Sequence, residues 1–183
     1  MTFTRLVTLD DAAEIAEVLT ENRGFLAEWE PLHSDNYFTV EWQATLLERA
    51  LRGYADGSGV PLAILAPDGR IAGRLNINNI VRGAFQSASI GYWVGSSHNG
   101  RGLASGAVSE ARDIAFEQMG LHRLQAETLI RNTGSQKVLT RNGFAPYGIA
   151  PQYLRIAGEW QDHILYQLLN PGWSEAGAAV HGI

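Results

Sequence analysis

Asn99-Gly100-Arg101-Gly102-Leu103-Ala104 is the stretch of this 183-residue chain whose residue types and order suit a definite chemistry. Two glycines let the backbone approach a ligand closely, and Arg101 adds a fixed positive charge. Before it, Ala88, Ile90, Tyr92 and Val94 alternate with Gly91 and Trp93, the pattern of a strand. After it, Leu103, Ala107, Ala111, Ile114, Ala115 and Gln118 recur at helical spacing, with Ser109, Glu110, Arg112, Asp113 and Glu117 turned away. That predicts an amphipathic helix of roughly four turns. A glycine bend between a strand and a helix start leaves backbone N–H groups unpaired and aims the positive end of the helix dipole outward. Such a place suits phosphate oxygens.

Two established phosphate loops fit poorly. A nucleotide-binding Walker loop needs Gly-Lys-Ser/Thr, and the chain has none. A dinucleotide fingerprint uses Gly100 and Gly102 but meets Ser105 where the third glycine belongs. About twenty positions further on, where ribose recognition wants an acid, stands Leu121-His122-Arg123. An ordinary turn and helix cap is the remaining alternative for the loop taken alone.

The elements that must position this loop can be read in order. Phe3 to Thr8 alternates as a short strand, and Leu9-Asp10-Asp11 opens a helix carrying Ala12, Ile15, Ala16, Val18 and Leu19. Arg23 to Pro31 is a loop or short helix with two aromatics. Thr39 can cap a helix over Val40 to Gly53. Val60 to Ala66 and Arg70 to Ile80 form a hairpin about Asp68-Gly69, and Arg82-Gly83 turns the chain into the strand before the loop. Arg123 to Arg131 is another strand, and Asn132 starts a helix ending at Asn142-Gly143. Phe144 to Tyr147 and Glu159 to Leu169 are the last strands, joined by a long connection through Pro151. This order predicts a single mixed α/β (α+β) domain over residues 1–170. Its central sheet has six to seven mainly antiparallel strands with helices on both faces. Residues 171–183 are small and weakly patterned, and a loosely ordered tail is expected there.

Composition narrows the class. The absence of cysteine excludes disulfides, thiolate metal sites and a cysteine nucleophile, and the five histidines lack ligand spacing, so no metal is expected. No apolar leader or membrane-length run is present, which predicts a cytoplasmic protein without a membrane partner. A net charge of −5 argues against a nucleic-acid partner and suits an acceptor of positive charge.

The loop resembles the Q/R-x-x-G-x-G/A loop that binds the coenzyme pyrophosphate in the GNAT acetyltransferase superfamily. Gly102 and Ala104 match, and Asn99 replaces the usual Gln or Arg. Ile-Gly-Tyr-Trp-Val before the loop, Asn132 with Ser135, Asn-Gly-Phe at 142–144 and Trp-Gln-Asp-His at 160–163 resemble the Rim-type branch, the ribosomal-protein N-terminal acetyltransferases. Phe-Leu-Ala-Glu-Trp-Glu-Pro at 25–31 is similar to the substrate-side segment of the RimJ-like group, and the likeness runs from about Phe3 to Leu169. It implies a GNAT fold and acetyl-CoA as cosubstrate. The implied acceptor is a protein N-terminus, possibly ribosomal, with a small amine or aminoacyl compound as the alternative. A non-catalytic acetyl-CoA-binding module is the reading from another class.

The resemblance also implies roles for residues. Asn99, Gly100, Arg101, Gly102, Leu103, Ala104 and Ser105 would hold the pyrophosphate, and Trp93, Val94, Asn132 and Ser135 the pantetheine arm. Trp29, Glu30 and Tyr92 would face the acceptor. Glu127 is the leading general base, with Glu30 and His163 as rivals, and Ser135 would protonate the departing thiolate. An α-amine, with a pKa of ~7.7–8.0 against ~10.4 for lysine, is the easier nucleophile to deprotonate, by about 3.5 kcal/mol. A modest base is then enough for direct attack. With no cysteine and no Ser/His/Asp pattern, a covalent acyl-enzyme is not expected.

Overall fold

The computed structural model describes residues 2–175. Its strands are β1 (Thr4–Leu6), β2 (Val60–Leu65), β3 (Ile71–Val81), β4 (Ser87–Val94), β5 (Arg123–Leu129), β6 (Ala145–Ile156) and β7 (Glu159–Leu169). The helices are α1 (Ala12–Glu21), α2 (Arg23–Leu26), α3 (Val40–Ala55), α4 (Leu103–Asp113) and α5 (Thr133–Arg141). All seven strands join one sheet in the order β1-β2-β3-β4-β5-β7-β6, antiparallel everywhere except between β4 and β5.

Alternation along the strands feeds two cores. Leu62, Ile64, Leu75, Ile77, Ala88 and Ile90 turn to one face, where α4 buries Leu103, Ala107, Val108 and Ala111 on them. Ala63 and Ile71 turn to the other, under Ile15 and Leu19 of α1 and Leu47 of α3. Helices therefore cover both faces, as expected, and the described residues form seven strands. The expected alternation in β4 holds: Ala88, Ile90, Tyr92 and Val94 pack toward α4, and Trp93 packs toward α1 and α3.

β4 and β5 share only three register pairs, Ser87 with Arg123, Ala88 with Leu124, and Ser89 with Gln125. Beyond these the strands diverge. Each is tied along its other side, β4 to β3 as far as Val94 and β5 to β7 as far as Leu129. These pairings hold the two strands in the sheet, while the backbone groups facing the gap have no strand partner beyond Ser89 and Gln125. The gap between Ile90–Val94 and Ala126–Leu129 opens next to the glycine loop.

Two sequence expectations are corrected. The helix after the loop is α-helical only to Asp113, and Ile114–Gln118 widens into a π-helical turn closed by Met119 N–H on the Ile114 carbonyl at 3.0 Å. The long connection through Pro151 does not exist, because β6 runs through it to a tight turn at Ala157-Gly158. Pro151 is tolerated because β6 is an edge strand paired only to β7, and register shifts after Pro146 and Ala150 absorb it. In the expected tail, Trp173 stacks edge-on against His122 with ring centroids 5.3 Å apart. The rest of it, 176–183, lies outside the described residues. No helix among the described residues is long and apolar enough to cross a membrane.

Candidate active site

The loop is shaped by its glycines. Gly100 (φ +74°) and Gly102 (φ +83°) both occupy the left-handed region, and a Cβ on either would meet no atom within 4 Å. Their backbones thus border open space, and Gly102 delivers the chain into α4 with the first-turn N–H groups facing outward. The loop is anchored from outside. Asn22, buried at the end of α1, accepts from Ser96 N–H at 2.8 Å and from the Ser96 hydroxyl at 2.9 Å. Asn142 Nδ2 donates to the Ser105 carbonyl at 3.2 Å, fixing the end of α5 to the start of α4.

A cleft of about 540 Å³ runs from this loop along the end of β4 to the start of α5. Trp93, Val94, Asn99, Gly100, Gly102, Leu103, Ala104, Ser105, Asn132 and Ser135 line it, so ten of the eleven expected coenzyme residues come together. Arg101 does not reach its wall and is exposed. The cations that do line it are Arg131, Lys137 and Arg141. Lys137 and Arg141 stand four apart on α5, a helical spacing that is visible in the sequence. Arg131 had no such signal. It donates to the Glu28 carbonyl at 2.9 Å and Gln161 Oε1 at 3.0 Å, and its guanidinium lies 5.6 Å from the Trp29 ring centre. It thereby holds the aromatic segment, including Trp29, at the cleft mouth. Asn132 caps α5, its Oδ1 accepting from Ser135 N–H at 3.0 Å.

Ser135 then meets Tyr92. The two hydroxyl oxygens are 2.8 Å apart. Burial pushes the Tyr92 phenol up to about 12 against the smaller opposing pull of the Ser135 hydrogen bond, so it keeps its proton at neutral pH. This pair lies on the α4–α5 side of the sheet.

Glu127 and His163 lie on the opposite face. Glu127 stands in the part of β5 that has left β4, two positions beyond the last shared pair. Among the described residues its carboxylate has no hydrogen bond or ion pair within 4.0 Å, and burial raises its pKa. His163, paired with Leu129 across the β5–β7 ladder, shares that face and is 3% exposed. Its Nδ1 is 2.9 Å from the Gln161 carbonyl oxygen, an acceptor toward which Nδ1 donates.

Glu30 heads a third group. Its carbonyl accepts from Ala157 N–H at 3.0 Å, joining the aromatic segment to the β6–β7 turn. Its carboxylate is 3.6 Å from His33 Nε2, and the His33 ring stacks on Tyr37 at 3.6 Å. Burial lifts the Glu30 carboxyl to about 7, with Arg74 pulling it part of the way back. The same burial pushes Tyr37 up to about 12 and lowers His33 and Arg74. The site thus has an open glycine loop and paired hydroxyls on one face, raised carboxyls on the other, and a gap in the sheet between them.

A GNAT acetyltransferase domain model matches residues 2–145. The chain belongs to the GNAT acetyltransferase family. This acetyltransferase is 35% identical to the probable N-acetyltransferase YjcK of Bacillus subtilis, over 92% of its own length and 94% of that protein's. It is also 35% identical to the [ribosomal protein uS5]-alanine N-acetyltransferase of Escherichia coli, over 93% and 88% of the two chains. Among solved structures it superposes on Mycobacterium smegmatis RimJ in complex with CoA-disulfide with a TM-score of 0.88. That match has 31% identity and covers 96% of this chain and 85% of the other. The expectations of a RimJ/RimL-like GNAT fold, an N-acetyltransferase activity and acetyl-CoA as cosubstrate are all met. The open glycine cradle and the three cations fit a diphosphate, and the coenzyme's thioester supplies the acetyl group.

Proposed function

We propose that this acetyltransferase acts on the α-amino group of a protein N-terminus, a ribosomal protein by relationship. The observation that carries the reading is the 35% identity, over nearly the whole of both chains, to an enzyme named for acetylating the alanine of ribosomal protein uS5. The site supports it chemically. Its acidic candidates are carboxyls raised by burial, suited to an amine that is already partly free base at neutral pH.

In this proposal Glu127 takes the proton that the attacking amine loses as the N–C bond forms. Ser135 donates to the sulfur as the C–S bond breaks, Tyr92 donates to Ser135 in turn, and the proton taken up by Glu127 returns to Tyr92 through solvent, restoring both groups. Tyr92, expected to face the acceptor, is therefore given to the leaving-group side. Trp29 and Glu30 border the acceptor's approach, and His163 positions the face that Glu127 uses. The backbone of Asn99 to Ser105 holds the diphosphate, with Lys137 and Arg141 in the part expected of Arg101.

Mass spectrometry of peptide N-termini, lysine side chains, polyamines and aminoglycosides incubated with acetyl-CoA tests the acceptor. Mono-acetylation at the α-amine is expected. Turnover confined to the small amines overturns the N-terminal reading in favour of a small-molecule acetyltransferase.

A further inference from the structure

Resting on the N-terminal reading above, we propose that a second cavity, between α3 and strands β2 and β3, receives a carboxylate side chain near the acceptor's amine, with Arg74 as its anchor. The cavity measures about 370 Å³. Its polar lining comes from Arg49 on α3, Ser58 before β2, and Arg74, Asn76 and Asn78 on β3, and no acid among the described residues lines it. In a chain of net charge −5 this is a local reversal of sign.

Arg74 is the unusual member. A guanidinium offers five N–H donors. Here Nη2 donates to Asn76 Oδ1 at 3.3 Å, and the buried Nε has no partner among the described residues. Among the described residues no carboxylate comes within 4.0 Å of it. The acids around it do not neutralise it fully: Asp11 is held by Arg5 through two bonds of 2.7 and 2.8 Å, and Glu30 is only partly ionised at neutral pH. Tyr37 keeps its proton. A largely buried cation with spare donors is unfavourable unless an anion joins it, and the fork of a guanidinium matches a carboxylate.

The position fits an acceptor. Arg74 stands directly opposite Trp93 in the β3–β4 ladder, and Trp93 lines the coenzyme cleft. Arg74 is thus one strand from the gap where the amine must meet the acetyl group. An extended peptide rises ~3.3 Å per residue, so side chains at its second to fourth positions span that distance.

The test uses the full chain, acetyl-CoA and peptides that start with alanine and carry Glu, Gln or Lys at positions two to four. The Glu peptides are expected to exceed the Gln peptides in kcat/KM by about tenfold or more at low salt, mainly through KM. The advantage should shrink as salt rises. Arg74→Gln should close the gap while the thermal shift on adding CoA persists. Arg49→Gln, at an exposed position, should narrow it even if the Arg74 variant fails to fold. Equal turnover of Glu and Gln peptides overturns the subsite, as does a gap that survives both substitutions. A protein that binds CoA and acetylates none of the peptides overturns the N-terminal reading and the subsite with it.

Discussion

The Tyr92 hydroxyl lies 2.8 Å from Ser135 Oγ, linking β4 to α5 across 43 residues of sequence at the mouth of the gap between β4 and β5. Two hydroxyls in series can pass a proton toward the cleft, and the inner one, held near pKa 12, stays protonated across the working range. Ser135→Ala is expected to lower kcat by about 10²-fold, the scale of a lost general acid. Tyr92→Phe should lower it less, and the double variant should be no worse than Ser135→Ala alone. Steady-state kinetics on the three variants checks this, since a multiplicative double loss would show two independent roles.

Saturating CoA should raise the melting temperature. At a hundredfold excess over Kd the gain is about 2.7 kcal/mol, roughly 5–10 °C for a chain of this size. Gly102→Val places a β-branched residue at φ +83° with its side chain entering the open space of the cradle, and the shift should fall to near zero. Differential scanning calorimetry with and without CoA reads it.

Glu30 makes stability depend on pH. Its carboxyl, raised to about 7 in the folded state, holds a proton that the unfolded chain has already released at lower pH. Stability therefore declines as pH rises from the ordinary glutamate range to about 7, and is level above that. Glu30→Gln should remove the slope, leaving stability unchanged near pH 4 and raising it at pH 8 by about 3 kcal/mol. Urea unfolding at the two pH values decides it.

Glu127→Gln should reduce kcat/KM by about 10²-fold. In the parent enzyme the acid limb of the pH–rate profile should lie above the ordinary carboxylate range, because burial disfavours the charged form. The variant should lose that limb. A limb left in place would move the proton acceptor to Glu30 or His163.

Gly73 is paired with Val94, and a Cβ there would overlap the Trp93 carbonyl oxygen. Gly73→Ala should destabilise the protein by about 1–3 kcal/mol, the usual effect of overpacking, measurable by urea unfolding.

Most of the elements were legible because they obey local rules. The helical spacing of Leu103, Ala107 and Ala111, the Thr39 cap, whose Oγ1 accepts from Trp42 N–H at 3.3 Å, and the left-handed Gly143 ending α5 all depend on near neighbours. The length of β6 is not legible locally, because Pro151 and two register shifts break its alternation, and only pairing with β7 makes it a strand. Within the site, the loop and α5 contributions were readable as motifs. Asn22, which holds Ser96 from 74 residues away, and Arg131, which holds the Trp29 segment, gave no local signal.

By itself the sequence determined the glycine loop before α4, the order of strands and helices, and the likeness to an acetyltransferase family. These follow from backbone preferences and periodicities that operate over a few residues. The tertiary structure alone decided that β4 and β5 part after three pairs, that Tyr92 meets Ser135 on one face, and that Glu127 waits unpaired on the other. The reason is that the gap is a property of neighbours: β3 and β7, distant in sequence, hold β4 and β5 from their far sides, while the groups facing the gap are left without strand partners beyond the third pair.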